Sequence, residues 1–174
     1  MISQTIERRR PTGLDMRDSS NWEPTAYRTH TIGQIVELGE GLVGKQVTIA
    51  GYAETVRGRG AICFLMLRDG TGQIQAFLKR DNMDEAIFSS IQSCTRESTI
   101  QVTGKVAMKR PPKVAEGEPT PLPEFEVSVE SGLILAEASA PLPVGITDEV
   151  NVGLDVRLDN RPLDVRRSHV NAMF

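Results

Sequence analysis

Phe64, Gln75 and the cations Arg57, Arg59, Arg68, Lys79 and Arg80 are the side chains of this sequence best equipped for molecular recognition. An aromatic ring can stack on a nucleobase, and a primary amide can both donate and accept along a base edge. Lys and Arg hold phosphates, so together these are the parts of a grip on a single-stranded nucleic acid. Two strands must position them. In the first, Ile62, Phe64, Met66 and Arg68 alternate with Cys63, Leu65 and Leu67. In the second, Gln73, Gln75 and Phe77 alternate with Ile74, Ala76 and Leu78. Asp69-Gly70-Thr71-Gly72 joins them, and its glycines are expected to supply the positive φ of a primed hairpin turn.

Charge supports this reading locally. The chain of 174 residues carries a net charge of −3, yet Arg57 to Lys113 holds ten Lys/Arg against five Asp/Glu. Phosphate contact depends on such a patch rather than on the whole-chain balance, although a solvated sheet surface fits the same charges. No run of about 18 apolar residues occurs, so no membrane span is expected. Arg8-Arg9-Arg10 is not followed by an apolar segment, which argues against a secretory signal. Cys63 and Cys94 lack a CxxC spacing and have only His30 and His169 for company, which argues against a zinc site and a disulfide framework. Both are expected to be small buried residues without a nucleophilic role. A cytoplasmic protein with no metal of its own is the expectation.

The elements around the hairpin suggest an architecture. Residues 1–26 lack periodicity and read as a flexible arm. Thr31 and Gln34 form a capping box that opens a short helix to about Leu38, with Ile32, Ile35 and Val36 facing inward. A long strand, 46–57, has Gly51 at its middle, where a bulge would let it bend. After the hairpin come a helix over 84–92 with Ala86, Ile87, Ser90 and Ile91 inside, a strand over 98–108, and a strand over 125–135. Three strands, a helix and two strands is the order of the all-β OB-fold, a five-stranded Greek-key barrel. That fold binds oligonucleotides on strands 2 and 3 and on loops 1–2 and 4–5. Arg57-Gly-Arg-Gly60 falls at loop 1–2, and 109–123, beginning with Lys109, falls at loop 4–5. The barrel is assigned to 27–139. Residues 140–174 read as a linker and hinge: Pro141 and Pro143 hold an extended connector, and a helix begins near His169. Asp155, Asp159 and Asp164 are expected to pair with Arg157, Arg161 and Arg166.

The ordered strings THTIGQI, FLMLRDGTGQIQ, STIQVTGKV, FEVSVESGLILAEASAPLPV and RLDNRPLDVRR resemble the N-terminal part of class IIb aminoacyl-tRNA synthetases. The chain is most similar to aspartyl-tRNA synthetases of the archaeal and eukaryotic cytosolic type, over residues 27–174. LRDGTGQIQ is shared with asparaginyl and lysyl relatives, whereas Leu163-Asp164 in the hinge favours the aspartyl group. The resemblance implies a domain that binds the anticodon of aspartate tRNA. Phe64 would stack on the central uridine and Gln75 would read its edge. It also implies Glu126 as a contact to anticodon bases, Arg57 as a contact to the anticodon loop, and Thr120 as a position in loop 4–5. A separate catalytic domain, expected beyond Phe174, would use ATP and Mg²⁺ to activate aspartate and would form a homodimer. None of its motifs lies in these 174 residues, so no catalysis is expected from them. Two alternatives stay open: an asparaginyl-type domain, and a free-standing OB-fold protein that binds single strands. On the residues alone, Phe64 also fits a barrel core, and Arg57 and Arg59 fit plain surface charge.

Overall fold

The computed structural model describes residues 24–109, 124–146 and 152–174. Strands β1 (Gln46–Arg59), β2 (Ile62–Arg68), β3 (Gln73–Lys79), β4 (Thr99–Met108) and β5 (Phe125–Ala136) follow in the expected order. Helix α1 (Ile32–Leu38) precedes them, and helix α2 (Glu85–Ser93) lies between β3 and β4. The strands pair in the order β1-β2-β3-β5-β4 and close on themselves, with only β3 and β5 parallel. This is the OB-fold barrel read from the sequence.

Alternation sorts the side chains between the two faces. Cys63, Leu65 and Leu67 of β2, Ile74, Ala76 and Leu78 of β3, Ile100 and Val102 of β4, and Val127 and Val129 of β5 all point into the barrel. Each large apolar side chain so buried contributes about 1.5–3 kcal/mol. Ile32 and Ile35 of α1, and Phe88 and Ile91 of α2, complete the core. Two details differ from the expected helix faces. Val36 is exposed, because the seven-residue α1 buries only the i, i+3 pair Ile32 and Ile35. On α2, Ala86 and Ser90 are exposed and Phe88 is buried. Asp84 caps that helix by accepting from Ala86 N and Ile87 N, and Phe88 and Ile91 form its inner stripe.

The turns work differently from the glycine-based expectation. Gly70 and Gly72 do not take positive φ; among the described glycines, that falls to Gly39, Gly44 and Gly60. The 69–72 turn is organised instead by Asp69, whose Oδ1 accepts from Thr71 N at 2.7 Å and Gly72 N at 3.0 Å. Its other oxygen accepts from Ile32 N at 2.9 Å, and Thr71 Oγ1 accepts from Gly33 N at 2.8 Å. Thr31 Oγ1 accepts from Gln34 N, and the Gln34 side chain returns a bond to Thr31 N. The hairpin turn and the capping box thus share the orphan N–H groups that open a helix. The tight turn is Gly60-Ala61: β1 runs on through Arg59 to pair with Ile62, and only Gly60 takes positive φ. Arg57-Gly-Arg59 is therefore strand rather than loop.

The bend of β1 is also displaced from its expected place. β1 pairs with β4 from Gln46 to Tyr52 and with β2 from Tyr52 to Arg59. The irregularity in the β1–β2 ladder lies between Ala53 and Thr55, so Glu54 is the extra residue. Gly51 serves close approach instead, since a Cβ there would stand 2.6 Å from the carbonyl oxygen of Arg68. Glu97, in the left-handed region at φ 68, clamps the bend. Its N–H donates to Ala53 O at 2.7 Å, and Ala53 N donates to Ser98 O at 2.8 Å. The Glu97 carboxylate is buried and held by Arg68 Nη2 at 3.0 and 3.2 Å.

A second compact unit begins at Ser139. Residues 152–174 contain three short helices, α3 (Leu154–Asp159), α4 (Arg161–Asp164) and α5 (Ser168–Asn171), where the sequence suggested a hinge segment. Asp164 is fully buried and is the hub: Arg157 bonds it at 2.8 Å, Arg161 at 2.8 Å and Arg167 stands at 3.8 Å. Arg167, which the sequence reading did not name, joins Arg157 and Arg161 around Asp164. The hydrogen bond from Arg157 holds the Asp164 carboxyl below the usual carboxylate range despite its burial, with the three arginine charges adding to the effect.

Arg68→Ala removes both Arg68 hydrogen bonds from the buried Glu97 carboxylate and should lower stability by roughly 3 kcal/mol. Urea unfolding of the chain measures this; a loss under about 1 kcal/mol would mean the clamp is not needed for the bend.

Candidate nucleic-acid interface

The outer barrel face gathers the predicted groups into two rows that follow from strand register. Arg57 stands opposite Phe64, and Phe64 opposite Phe77, across β1, β2 and β3. Thr55, Met66, Gln75 and Glu126 form the next row, from β1 to β5. Residues two apart on one face of a strand are separated by about 7 Å, so the rows lie side by side. The groove over them is lined by Ile62, Phe64, Gln75, Phe77, Lys109 and Glu126, with a volume of about 580 Å³. An adjoining hollow of about 280 Å³ brings in Glu54, Thr55, Arg57, Met66 and Gln73.

Phe64 faces out because its neighbours Cys63 and Leu65 are wholly buried; its own exposure is 40%. The ring leans on Phe77, with centroids 5.3 Å apart and planes at 40°. Phe77 braces it from one side and leaves the remaining surface open to a flat ligand. Gln75 Nε2 donates to Glu126 Oε2 at 2.8 Å. That bond fixes which end of the amide is which, and leaves the Gln75 carbonyl and one N–H for a ligand. The parallel β3–β5 pairing places Gln75 directly beside Glu126.

The cations are distributed less simply than their positions suggest. Arg57 is exposed in the groove. Lys109 lines it too, while Lys109 Nζ bonds Glu124 at 2.6 Å at the root of the β4–β5 connection. Arg68 is engaged elsewhere, by Glu97 and by stacking over the Tyr52 ring at 5.8 Å. Its place in the fold is structural, and it is absent from the residues lining the groove. Arg80 lies over the Phe88 ring at 5.1 Å and bonds Glu85 at 3.3 Å. Lys79 stands 3.7 Å from Asp81. Arg59 ends β1, and Thr120 lies outside the described residues. The structure therefore brings together Phe64, Gln75, Glu126, Arg57 and Lys109. It adds Glu54, Met66, Gln73 and Phe77, which the sequence reading did not assign to a site.

Cys63 is buried in the barrel, and burial pushes its thiol up from its ordinary pKa. Burial likewise raises Cys94, to about 11, with smaller contributions from Cys63 and Glu137. Both are protonated near neutral pH and poor nucleophiles.

A closed five-stranded barrel with an outward aromatic, an oriented amide and cations on strands 1 to 3 defines an OB-fold oligonucleotide-binding domain. The comparisons agree. The family model described as an OB-fold nucleic acid binding domain of the tRNA anticodon type matches residues 47–135, and the chain belongs to that family. Over 131 residues, 75% of this chain and 28% of the relative, it is 40% identical to the aspartate–tRNA(Asp/Asn) ligase of Haloferax volcanii. It is 36% identical over 149 residues to the enzyme of that name from Methanococcoides burtonii, covering 84% of this chain and 31% of that one. Among solved structures, the aspartyl-tRNA synthetase of Entamoeba histolytica superposes with a TM-score of 0.66 at 29% identity, over 80% of this chain and 33% of that one. The asparaginyl-tRNA synthetase of Pyrococcus horikoshii complexed with asparaginyl-adenylate superposes at 0.63 and 29% identity, over 79% and 29%. The chain spans about three-tenths of the length of these relatives.

Phe64→Ala should reduce affinity for a single-stranded RNA by about 1–3 kcal/mol, the worth of one base–aromatic stack. Because the ring is outside the core, the far-UV spectrum and the unfolding midpoint should change little. Collapse of the fold, with no separable loss of binding, would return Phe64 to a purely structural role.

Proposed function

We propose that the barrel is the anticodon-binding domain of an aspartate–tRNA ligase. The observation that carries the reading is the pair of adjacent rows: an outward Phe64 beside a Gln75 already oriented by Glu126. A base unstacked from the anticodon loop lies on the Phe64 ring, and the free edge of Gln75 meets its Watson–Crick edge. For uridine, the Gln75 carbonyl accepts from N3–H while the remaining N–H donates to a carbonyl oxygen of the base. Arg57 and Lys109 hold the flanking phosphates and fix the register of the strand, which positions the loop without reading it. Arg59 is assigned to the same grip from its charge beside the hairpin, and Thr120 to the tRNA contacts from the family resemblance.

The relatives are ligases, and this chain matches about three-tenths of them. Aminoacylation of tRNA with aspartate is assigned to a catalytic part of the full-length enzyme, together with ATP, Mg²⁺ and homodimer formation. The work of the domain is cytoplasmic, where tRNA is charged. Solved asparaginyl-tRNA synthetases superpose nearly as well, which fits a common barrel and a shared central uridine.

Cytidine offers an acceptor at N3 and a donor at N4, the reverse of what uridine presents to Gln75. Gln75→Ala should therefore weaken binding of an aspartate anticodon stem-loop and narrow its preference over a variant with central cytidine. A reader that leaves groups unpaired on the wrong base is worth about 1–3 kcal/mol. Paired titrations at one salt concentration measure it. Equal discrimination by wild type and variant would remove Gln75 as the reader.

A further inference from the structure

We propose that Phe77 is a second base-stacking platform, through which the barrel also binds linear single-stranded RNA that has no tRNA fold. Two successive bases lie on Phe64 and Phe77. Phe64 keeps the role given to it in the anticodon reading, on which this extension rests. Register sets Arg57, Phe64 and Phe77 side by side on β1, β2 and β3, a cation followed by two rings. Phe77 alternates with the buried Ala76 and Leu78, so its half-buried ring belongs to the outer face. Phe64 fronts both hollows of that face, whereas Phe77 lines only the larger one, of about 580 Å³. A base laid on Phe64 toward β1 therefore leaves the larger hollow with a ring of its own.

The spacing suits a strand that crosses the sheet. The ring centroids are 5.3 Å apart, close to the distance of about 4.8 Å between neighbouring strands. Aromatic side chains on adjacent strands of one sheet face hold successive splayed bases of single-stranded RNA in this way. Cations flank the pair: Arg57 beside Phe64, Lys109 in the larger hollow, and Lys79 two residues beyond Phe77 on β3. All these contacts go to bases and phosphates, which a linear strand carries as well as a loop does. A closed loop adds preorganisation and hence affinity, without adding a partner group. Base identity is read in the neighbouring row, at Gln75 and Glu126, whereas stacking on Phe77 accepts any base because each has a π face.

The test titrates the 174-residue chain into a short linear pyrimidine RNA that cannot self-pair, with the aspartate anticodon stem-loop in parallel. Proton spectra of the linear RNA should show two successive bases moved upfield by ring currents. Phe77→Leu keeps apolar bulk against Phe64 but removes the ring. One of the two upfield shifts should then vanish, and affinity for the linear RNA should fall about fivefold, the lower end for one base–aromatic stack. Phe77→Tyr retains a ring and should keep both shifts and the affinity. The preference of the stem-loop for a central uridine should be the same in all three proteins. A single shifted base in wild type would overturn the proposal, as would two shifted bases in Phe77→Leu. Loss of both shifts in Phe77→Leu would also overturn it, since Phe77 would then act only by bracing Phe64. Binding of the stem-loop without the linear RNA sinks this extension and leaves the anticodon reading standing; binding of neither sinks both.

Discussion

One strand has to serve two neighbours, and the rest of the barrel depends on how it does so. β1 pairs with β4 through Tyr52 and with β2 from Tyr52 onward, so it must turn sharply over a few residues. Gly51 admits the carbonyl of Arg68, Glu54 is extruded, and Glu97 ties Ala53 down from the β4 side. Glu97 takes a left-handed backbone that costs about 1–3 kcal/mol for a non-glycine residue. Its doubly bonded ion pair with Arg68 offsets that cost and places a buried carboxylate at the end of β2. The same bend closes the barrel and delivers Glu54, Thr55 and Arg57 to the groove. Fold and site are thus linked through one short stretch of chain.

The groove is built to discriminate more than to attract. Glu54, Glu124 and Glu126 stand among its cations, and Lys109 is shared with Glu124. Such a surface offers less long-range pull on RNA than a uniformly basic one, and gains selectivity from groups that are repulsive to the wrong base. Preorganisation adds to this: Phe77 braces Phe64, and Glu126 sets the amide of Gln75 before any ligand arrives.

Much of this was legible in the sequence, for physical reasons that can be named. The strict period of two in 62–68 and 73–78 set Phe64 apart from Cys63 and Leu65, and Gln75 apart from Ile74 and Ala76, while which face is outer was settled by the burial of those neighbours; the Thr31–Gln34 spacing announced α1. What escaped were long-range partners. Asp69 serves a helix some 37 residues away, and Arg68 serves Glu97 29 residues away. A charge count sees Arg68 only as a cation, and a glycine count sees 69–72 only as a turn. The bulge did leave a signal: Val47, Ile49, Gly51 and Ala53 keep a period of two, then Val56 follows at three. That slip marks an extra residue at 54–55, and Gly51 drew attention away from it. The α2 face was misplaced because its nine residues allow more than one apolar stripe until Asp84 fixes the start.

The central claim is that RNA is read on the outer face of β1, β2, β3 and β5. The most direct measurement is an amide-shift map of the ¹⁵N-labelled chain titrated with an aspartate anticodon stem-loop. The account predicts the largest changes at Glu54, Arg57, Phe64, Gln75, Lys109 and Glu126, with Gln101 and Leu133, on the far side of the β4–β5 pair, nearly silent. Changes concentrated around Gln101 and Leu133, with Phe64 and Gln75 unmoved, would contradict it.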